Sequence, residues 1–190
     1  MLSHDHHADN LDRAGREFLA STGEVLTTPA GAARLGGNSI GLEPWKTFEL
    51  GGSLKVTGTP ARHGPAHLDR GPVTGFVLEV AGDPSRTTYV SGDTVWYEGV
   101  QEVANRFDVR LMVLFLGAAR VAAVGPVHLT MTAEEGVIAA RALPNATIVP
   151  LHFEGWAHFS ESRAEIEEVF RTVSLETRLR WPVAGSPIGL

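Results

Sequence analysis

Three imidazoles and two carboxylates fall within seven residues near the start of the chain, in the run His4-Asp5-His6-His7-Ala8-Asp9-Asn10. These side chains are nitrogen and oxygen donors for divalent metals. Three later segments, Thr59-Pro60-Ala61-Arg62-His63, Ser91-Gly92-Asp93-Thr94 and Pro150-Leu151-His152-Phe153-Glu154-Gly155-Trp156, each add one more candidate ligand beside a short β-like run. A purification-tag-like accident would not carry Asp5, Asp9 and Asp12 in the same stretch. Loops on a rigid scaffold concentrate catalytic groups, and a metal site built this way needs three or four donors with an open position for water.

The elements needed to position such loops are legible along the chain. Leu11, Ala14, Phe18 and Leu19 recur at helical spacing over Leu11 to Ser21, with Asp9 or Asn10 as the expected cap. A short strand is expected over Glu24 to Thr28 and a helical turn or two over Ala30 to Leu35, ended by Gly36-Gly37-Asn38. Strands follow at Lys46 to Leu50, Leu54 to Thr59, Val73 to Val80 and Arg86 to Val90, separated by Gly, Pro or Asp turns. The second half alternates: a helix from Glu98 to Arg106, a strand from Val109 to Leu116, a helix from Ala133 to Leu143 opened by a capping box at Thr132 and Glu135, and a strand from Thr147 to Pro150. A last helix from about Glu161 to Val173, capped by Ser160 or Ser162, precedes a closing strand near Thr177 to Trp181. This pattern predicts an α/β fold of sheets with helices packed outside. Each candidate ligand then lies where a strand ends.

Composition narrows the partners. The 190 residues, 43% hydrophobic, suit a single domain, and the longest apolar run, Leu111 to Ala119, is strand-length rather than the ~18 residues that span a bilayer. With no cysteine and no basic, apolar leader, the expectation is a cytoplasmic protein whose metal is held by nitrogen and oxygen alone. A net charge of −6 with scattered arginines argues against nucleic acid and for a small-molecule substrate. Arg62, Arg70 and Arg120 are candidates to hold a phosphorylated one. Trp96 and Trp156 sit just behind ligand stations, where core packing is favoured over a pocket wall.

The ordered stations resemble the metallo-β-lactamase superfamily, marked by HxHxDH on a strand-to-helix loop, then a His, a bridging Asp and a final His. The resemblance covers essentially the whole chain, and SGDTVWYEG and VPLHFEGWAHF look like the branch of hydrolases related to ascorbate-6-phosphate lactonase. It implies a four-layer αββα sandwich. Read without gaps, Asp5, His7, Asp9 and Asn10 occupy the first motif; a reading from His4 and His6 needs one extra residue before Asp9. In the gapless register the resemblance implies one metal on Asp5, His7 and His63, a second on Asp9 and His152, and Asp93 bridging them. Asn10 stands where the family has His and is a poor ligand, so one or two metals per chain are expected. Zn is the expected ion, with Mn or Fe(II) as alternatives for so acidic a donor set. The family pattern has several strands before this motif, whereas three residues precede it here. The expected sandwich is therefore incomplete at the N-terminus, implying a longer native chain, a fragment or a variant that forms a homo-oligomer through its open edge.

The implied chemistry is hydrolysis by metal-activated water on a small ester, lactone or phosphoester, with Asp9 orienting the water or carrying its proton. His128 and Glu154 are candidates for leaving-group protonation or outer support, His128 being equally readable as structural. His67 and His158 read as ordinary surface or core histidines. A catalytically inactive scaffold that binds metal or a partner is the rival reading, supported by Asn10 and the short N-terminus.

Overall fold

The computed structural model describes residues 1–187. Its centre is a six-stranded sheet formed by β3 (Thr47–Leu50), β4 (Leu54–Pro60), β5 (Thr74–Val80), β6 (Asp83–Val90), β7 (Leu111–Phe115) and β8 (Thr147–Leu151), in that spatial order. The first four pair antiparallel, and β6, β7 and β8 pair parallel. Parallel neighbours need crossovers, supplied by α3 (Glu98–Arg106) and α4 (Ala133–Ala142). β1 (Val25–Thr27) and β2 (Ser39–Gly41) form a separate two-stranded parallel ribbon joined through α2 (Pro29–Leu35).

Burial stacks these elements in four layers. On one face of the large sheet, Val77, Tyr89, Met112, Leu114 and Ile148 pack with Val100 and Val103 of α3, Val137 and Ala140 of α4, and Ile166 and Phe170 of α5 (Arg163–Thr172). On the other face, Val56 and Phe76 pack with Leu26 and Ile40 of the ribbon. Beyond the ribbon, Leu2, Leu11 and Val25 pack with Leu19 of α1 (Arg13–Leu19) and Leu35 of α2. The result is an αββα sandwich whose smaller sheet has two strands. Among the described residues no helix is long and apolar enough to cross a membrane.

The predicted capping box of Thr132 with Glu135 is present, and of the two caps expected for the last helix Ser162 serves, in a second capping box with Glu165. Three local readings are corrected. The N-cap of α1 is Asp12, whose Oδ1 accepts from the Gly15 amide, because Asp9 and Asn10 face other partners. β2 follows Gly36 and Gly37, both at positive φ, and its Ser-Ile-Gly run is too short to show alternation. The closing strand is instead a 3₁₀ turn, Glu176–Arg178, followed by one parallel bridge between Leu179 and Ile148. Arg178 enforces this turn by donating to the carbonyls of Ala140, Leu143 and Ala146 at 2.6, 2.6 and 2.9 Å, satisfying groups the end of α4 leaves unpaired.

Strand direction decides where the ligands meet. β4, β6, β7 and β8 run the same way, so their C-terminal ends, and the N-terminal end of β5, share one edge. The first motif is stitched to that edge by the Thr74 amide donating to Ser3 O at 3.0 Å, and to the ribbon by the Leu2 amide donating to Leu26 O at 2.9 Å. Gly92 permits this approach: its φ is +62°, and a Cβ there would lie 2.7 Å from Thr74 O and 2.9 Å from Ser3 Cβ. Gly92→Ala is expected to cost more than about 1 kcal/mol, combining backbone strain with displacement of the motif; urea unfolding of parent and variant measures it.

Candidate metal centre

His63 follows β4, Asp93 follows β6, and His152 follows β8, while His4, His7 and Asp9 arrive on the loop before α1. They converge. His7 Nδ1 lies 3.1 Å from His4 Nε2 and 3.2 Å from His63 Nε2, and Asp93 Oδ2 lies 3.9 and 3.8 Å from the same two Nε2 atoms. On the other side of Asp93, Oδ1 is 3.8 Å from His152 Nε2, which is 3.9 Å from Asp9 Oδ2. His158 Nε2 stands 3.0 Å from that same Asp9 oxygen.

Partners behind the cluster orient it. His63 Nδ1 donates to Leu129 O at 2.9 Å, which leaves Nε2 with its lone pair toward Asp93. His4 Nδ1 is 2.9 Å from Ser3 Oγ, whose own proton goes to Asn10 Oδ1 at 3.4 Å, so His4 likewise presents a bare Nε2. His152 adopts φ +58°, rare for a side chain with a Cβ, and its ring is stacked on Phe115 and edged by Phe159. Such strain is held only where surrounding packing over-determines it. Gly117, with φ +92°, lets the β7 end pass within 2.6 Å of His152 O at the place a Cβ would occupy.

Burial sets the charges. It pushes His4 down to about 2, and His7, His63 and His152 down to about 4, with neighbouring imidazoles adding to the effect for His4 and His7. It pushes Asp93 up to about 8, with Asp9 contributing repulsion. Neutral imidazoles therefore face a protonated carboxyl at neutral pH across gaps too long for hydrogen bonds. Asp93 Oδ1 and both ring nitrogens of His152 are buried without any hydrogen-bond partner. Unpaired buried polar atoms are costly, and here they point at one another. Donors bound at ~2.1 Å around a tetrahedral ion are separated by about 3.4 Å, so these spacings and this donor set fit a divalent metal.

The sequence-derived ligand set is partly rearranged. His7, Asp9, His63, Asp93 and His152 are brought together. Asp5 is not: its carboxylate is paired to Arg34, Nε donating to Oδ2 at 2.8 Å and Nη2 to Oδ1 at 2.5 Å, and this holds its carboxyl below the usual range. The bidentate pair fastens the motif loop to α2, and His4 occupies the place expected of Asp5. The register is thus His4-x-x-His7-x-Asp9, one residue longer than the pattern, with His6 squeezed outward to hydrogen-bond Arg70 O at 2.9 Å. Asn10 is turned away, donating its amide to His4 O.

His128 does not reach the centre. Its Nε2 is 3.2 Å from Glu135 Oε1, which raises its pKa, and Glu135 also caps α4, so His128 belongs to that helix start; its neighbour Leu129 supplies the carbonyl behind His63. Glu154 is exposed, and Trp96 packs against the main core. Arg62 stacks on Tyr97 and Arg120 binds Pro126 O and Ser160 Oγ, leaving Arg70 as the arginine that borders the centre. The centre opens into a cleft of about 320 Å³ walled by Ala119, Val121, Leu129 and the half-exposed Trp156. His158, which also lines it, was missed. A turn at Gly155 (φ +89°) lies between it and His152.

A four-layer αββα sandwich with a His and Asp centre at one sheet edge defines a protein of the metallo-β-lactamase type. Residues 2–153 match the model of the Beta-lactamase superfamily domain, and the chain belongs to that family. It is 30% identical over 164 residues to a UPF0173 metal-dependent hydrolase of Natranaerobius thermophilus, covering 82% of this chain and 65% of the relative. A UPF0173 metal-dependent hydrolase of Pyrobaculum aerophilum is 24% identical over 180 residues, covering 90% and 73%. Among solved structures, an isothiocyanate hydrolase from Delia radicum gut bacteria superposes with TM-score 0.80 at 25% identity, covering 96% of this chain and 74% of that one. A possible metal-dependent hydrolase from Veillonella parvula gives 0.88 at 19% identity, covering 100% and 75%.

The shifted groups predict a stability profile for chelator-treated protein. Below the ordinary imidazole pKa of 6.5 the unfolded chain takes up protons that the folded histidines refuse until about pH 4, so stability falls with acidification across that window. Asp93 acts oppositely: folded, it keeps its proton to about pH 8, unfolded it loses it near 3.8, so stability also declines as pH rises toward 8. Thermal melts from pH 4 to 8 should peak at about pH 7, where the protons gained by unfolded histidines balance the one held by folded Asp93. Loading with Zn²⁺ at pH 7 should release about one proton per chain, from Asp93, measured by calorimetry in buffers of different ionisation enthalpy.

Proposed function

We propose that this chain is a metal-dependent hydrolase of small, largely apolar molecules with an electrophilic carbon or phosphorus centre: an ester, lactone or phosphoester. The observation that carries this reading is the set of buried, unpartnered donors around Asp93 at the floor of an open cleft. His4, His7 and His63 with Asp93 Oδ2 would hold one ion; Asp93 Oδ1, Asp9 and His152 border a second position. When bound, a divalent ion lowers the pKa of water to about 7 and stabilises charge that develops on the substrate. Zn suits the imidazole-rich first position, while the more acidic second admits Mn or Fe(II).

The chain's own groups do the rest. Asp9, whose Oδ2 faces both His152 and the cleft, is placed to accept a proton from the attacking water and return it to the leaving group. Trp156, Val121, Ala119 and Leu129 offer an apolar wall that displaces water beside the centre, and Arg70 can orient a polar or anionic end of the substrate. A single bordering arginine favours carbonyl substrates over highly charged phosphates. An isothiocyanate, for which the Delia radicum relative is named, offers the same kind of electrophilic carbon and belongs in the test panel.

Chelation should abolish turnover of the responsive substrate, and Zn²⁺, Mn²⁺ or Fe²⁺ should restore it. His63→Ala, which removes a donor rather than an outer partner, should lower kcat by more than roughly 100-fold. Trp156→Ala should instead raise KM for apolar substrates with kcat nearly unchanged, as expected for a wall that binds ground and transition states alike. A panel of esters, lactones, phosphoesters and isothiocyanates that shows no metal-dependent turnover would leave the inactive scaffold as the better account.

A further inference from the structure

Resting on the metal-dependent reading above, we propose that His158 supplies the nitrogen donor that completes the second metal position, and that Asn10 is a positioning residue for His4. Around that second position, Asp9 Oδ2, Asp93 Oδ1 and His152 Nε2 lie at successive separations of 3.9 and 3.8 Å, and two of these atoms, Asp93 Oδ1 and His152 Nε2, are buried with no partner. All three of these residues line the cleft. Asn10 does not join them: its amide donates to His4 O, its Oδ1 accepts from Ser3 Oγ, and it does not line the cleft. That arrangement passes the Ser3 proton toward Asn10 and so makes Ser3 Oγ the acceptor for His4 Nδ1–H, keeping His4 Nε2 bare toward Asp93.

His158 reaches Asp9 from the loop after β8. Its Nε2 is 3.0 Å from Asp9 Oδ2, within the spacing of two ligands on one ion as well as of a hydrogen bond, and its ring lines the cleft. The ring is edge-on to Phe159 at 4.6 Å, the same phenyl that edges His152 at 4.6 Å, so one aromatic side chain sets the angle of both imidazoles. The His158 carbonyl accepts from the Arg120 amide at 2.8 Å, which fixes the backbone beneath the ring. The extra residue between His4 and His7 and the imidazole on the returning loop thus form one substitution: a donor leaves the first motif and reappears after His152.

The test uses the full chain without a histidine tag, stripped by chelator and titrated with Zn²⁺ alone, followed by calorimetry and elemental analysis; Co²⁺ absorption reports ligand type. The parent should take up two ions. His158→Ala should keep the first and weaken the second by at least about 100-fold, beyond the ~10- to 100-fold typical of an outer partner. His158→Gln retains an amide donor for Asp9; restoration of parental affinity by Gln would show that His158 merely orients Asp9 and would overturn the proposal, and this variant decides the matter if the Ala form misfolds. Asn10→Ala should leave the second affinity intact and weaken the first. Two ions at parental affinity in His158→Ala would also overturn the inference. A parent that binds one ion would overturn it while leaving a mononuclear hydrolase standing, and a parent that binds none would remove both.

Discussion

The structure depends on keeping a carboxyl group dry. Asp93 sits 1% exposed at the end of β6, where the sheet, the first motif and the returning loop after β8 all press on it. An isolated ionised carboxylate in such a place is costly, so the group either holds its proton or finds a cation. Alone it holds its proton, and the groups around it suit a cation: three imidazoles kept neutral by the same burial, two of them with one nitrogen committed to a partner behind and the other bare in front. The fold thereby stores an electrostatic deficit at one point, which a bound cation would offset.

Much of this was legible in the sequence, and for identifiable reasons. Strand-like runs ending shortly before His63, Asp93 and His152 were readable because the large sheet's pattern is strong and its turns carry Gly, Pro or Asp. The alternation of β6, β7 and β8 with helices was legible too; the parallel pairing that turns their chain-distant ends into one edge is seen in the structure. The α4 start was visible as a capping box, and the α5 start as one of two serine caps, because such motifs are local.

The first motif was not fully legible because its spacing carries an insertion. A gapless reading assumes that successive donors point alternately from a fixed loop, and the loop here bulges by one residue, exchanging Asp5 for His4. The exchange depended on Arg34, thirty or so positions away in a helix whose role as an anchor has no sequence signature. His128 and His158 illustrate the same point in opposite directions. Each is a histidine in a loop before a helix; the first is claimed by Glu135 and the second lies free to face Asp9, and only the tertiary path distinguishes them.

The candidate donors come from both layers of the sandwich. His4, His7 and Asp9 ride on a segment whose apolar neighbours, Leu2 and Leu11, pack with the ribbon side, and whose Asp5 is tied to α2; His63, Asp93 and His152 belong to the large sheet. An ion shared between them would be a clasp across the interlayer seam. By mass action, a site saturated at ~100 times its Kd adds about 2.7 kcal/mol to the folded state. Scarcity of metal would then loosen the seam itself, so that the supply of the ion would set how long each folded molecule survives.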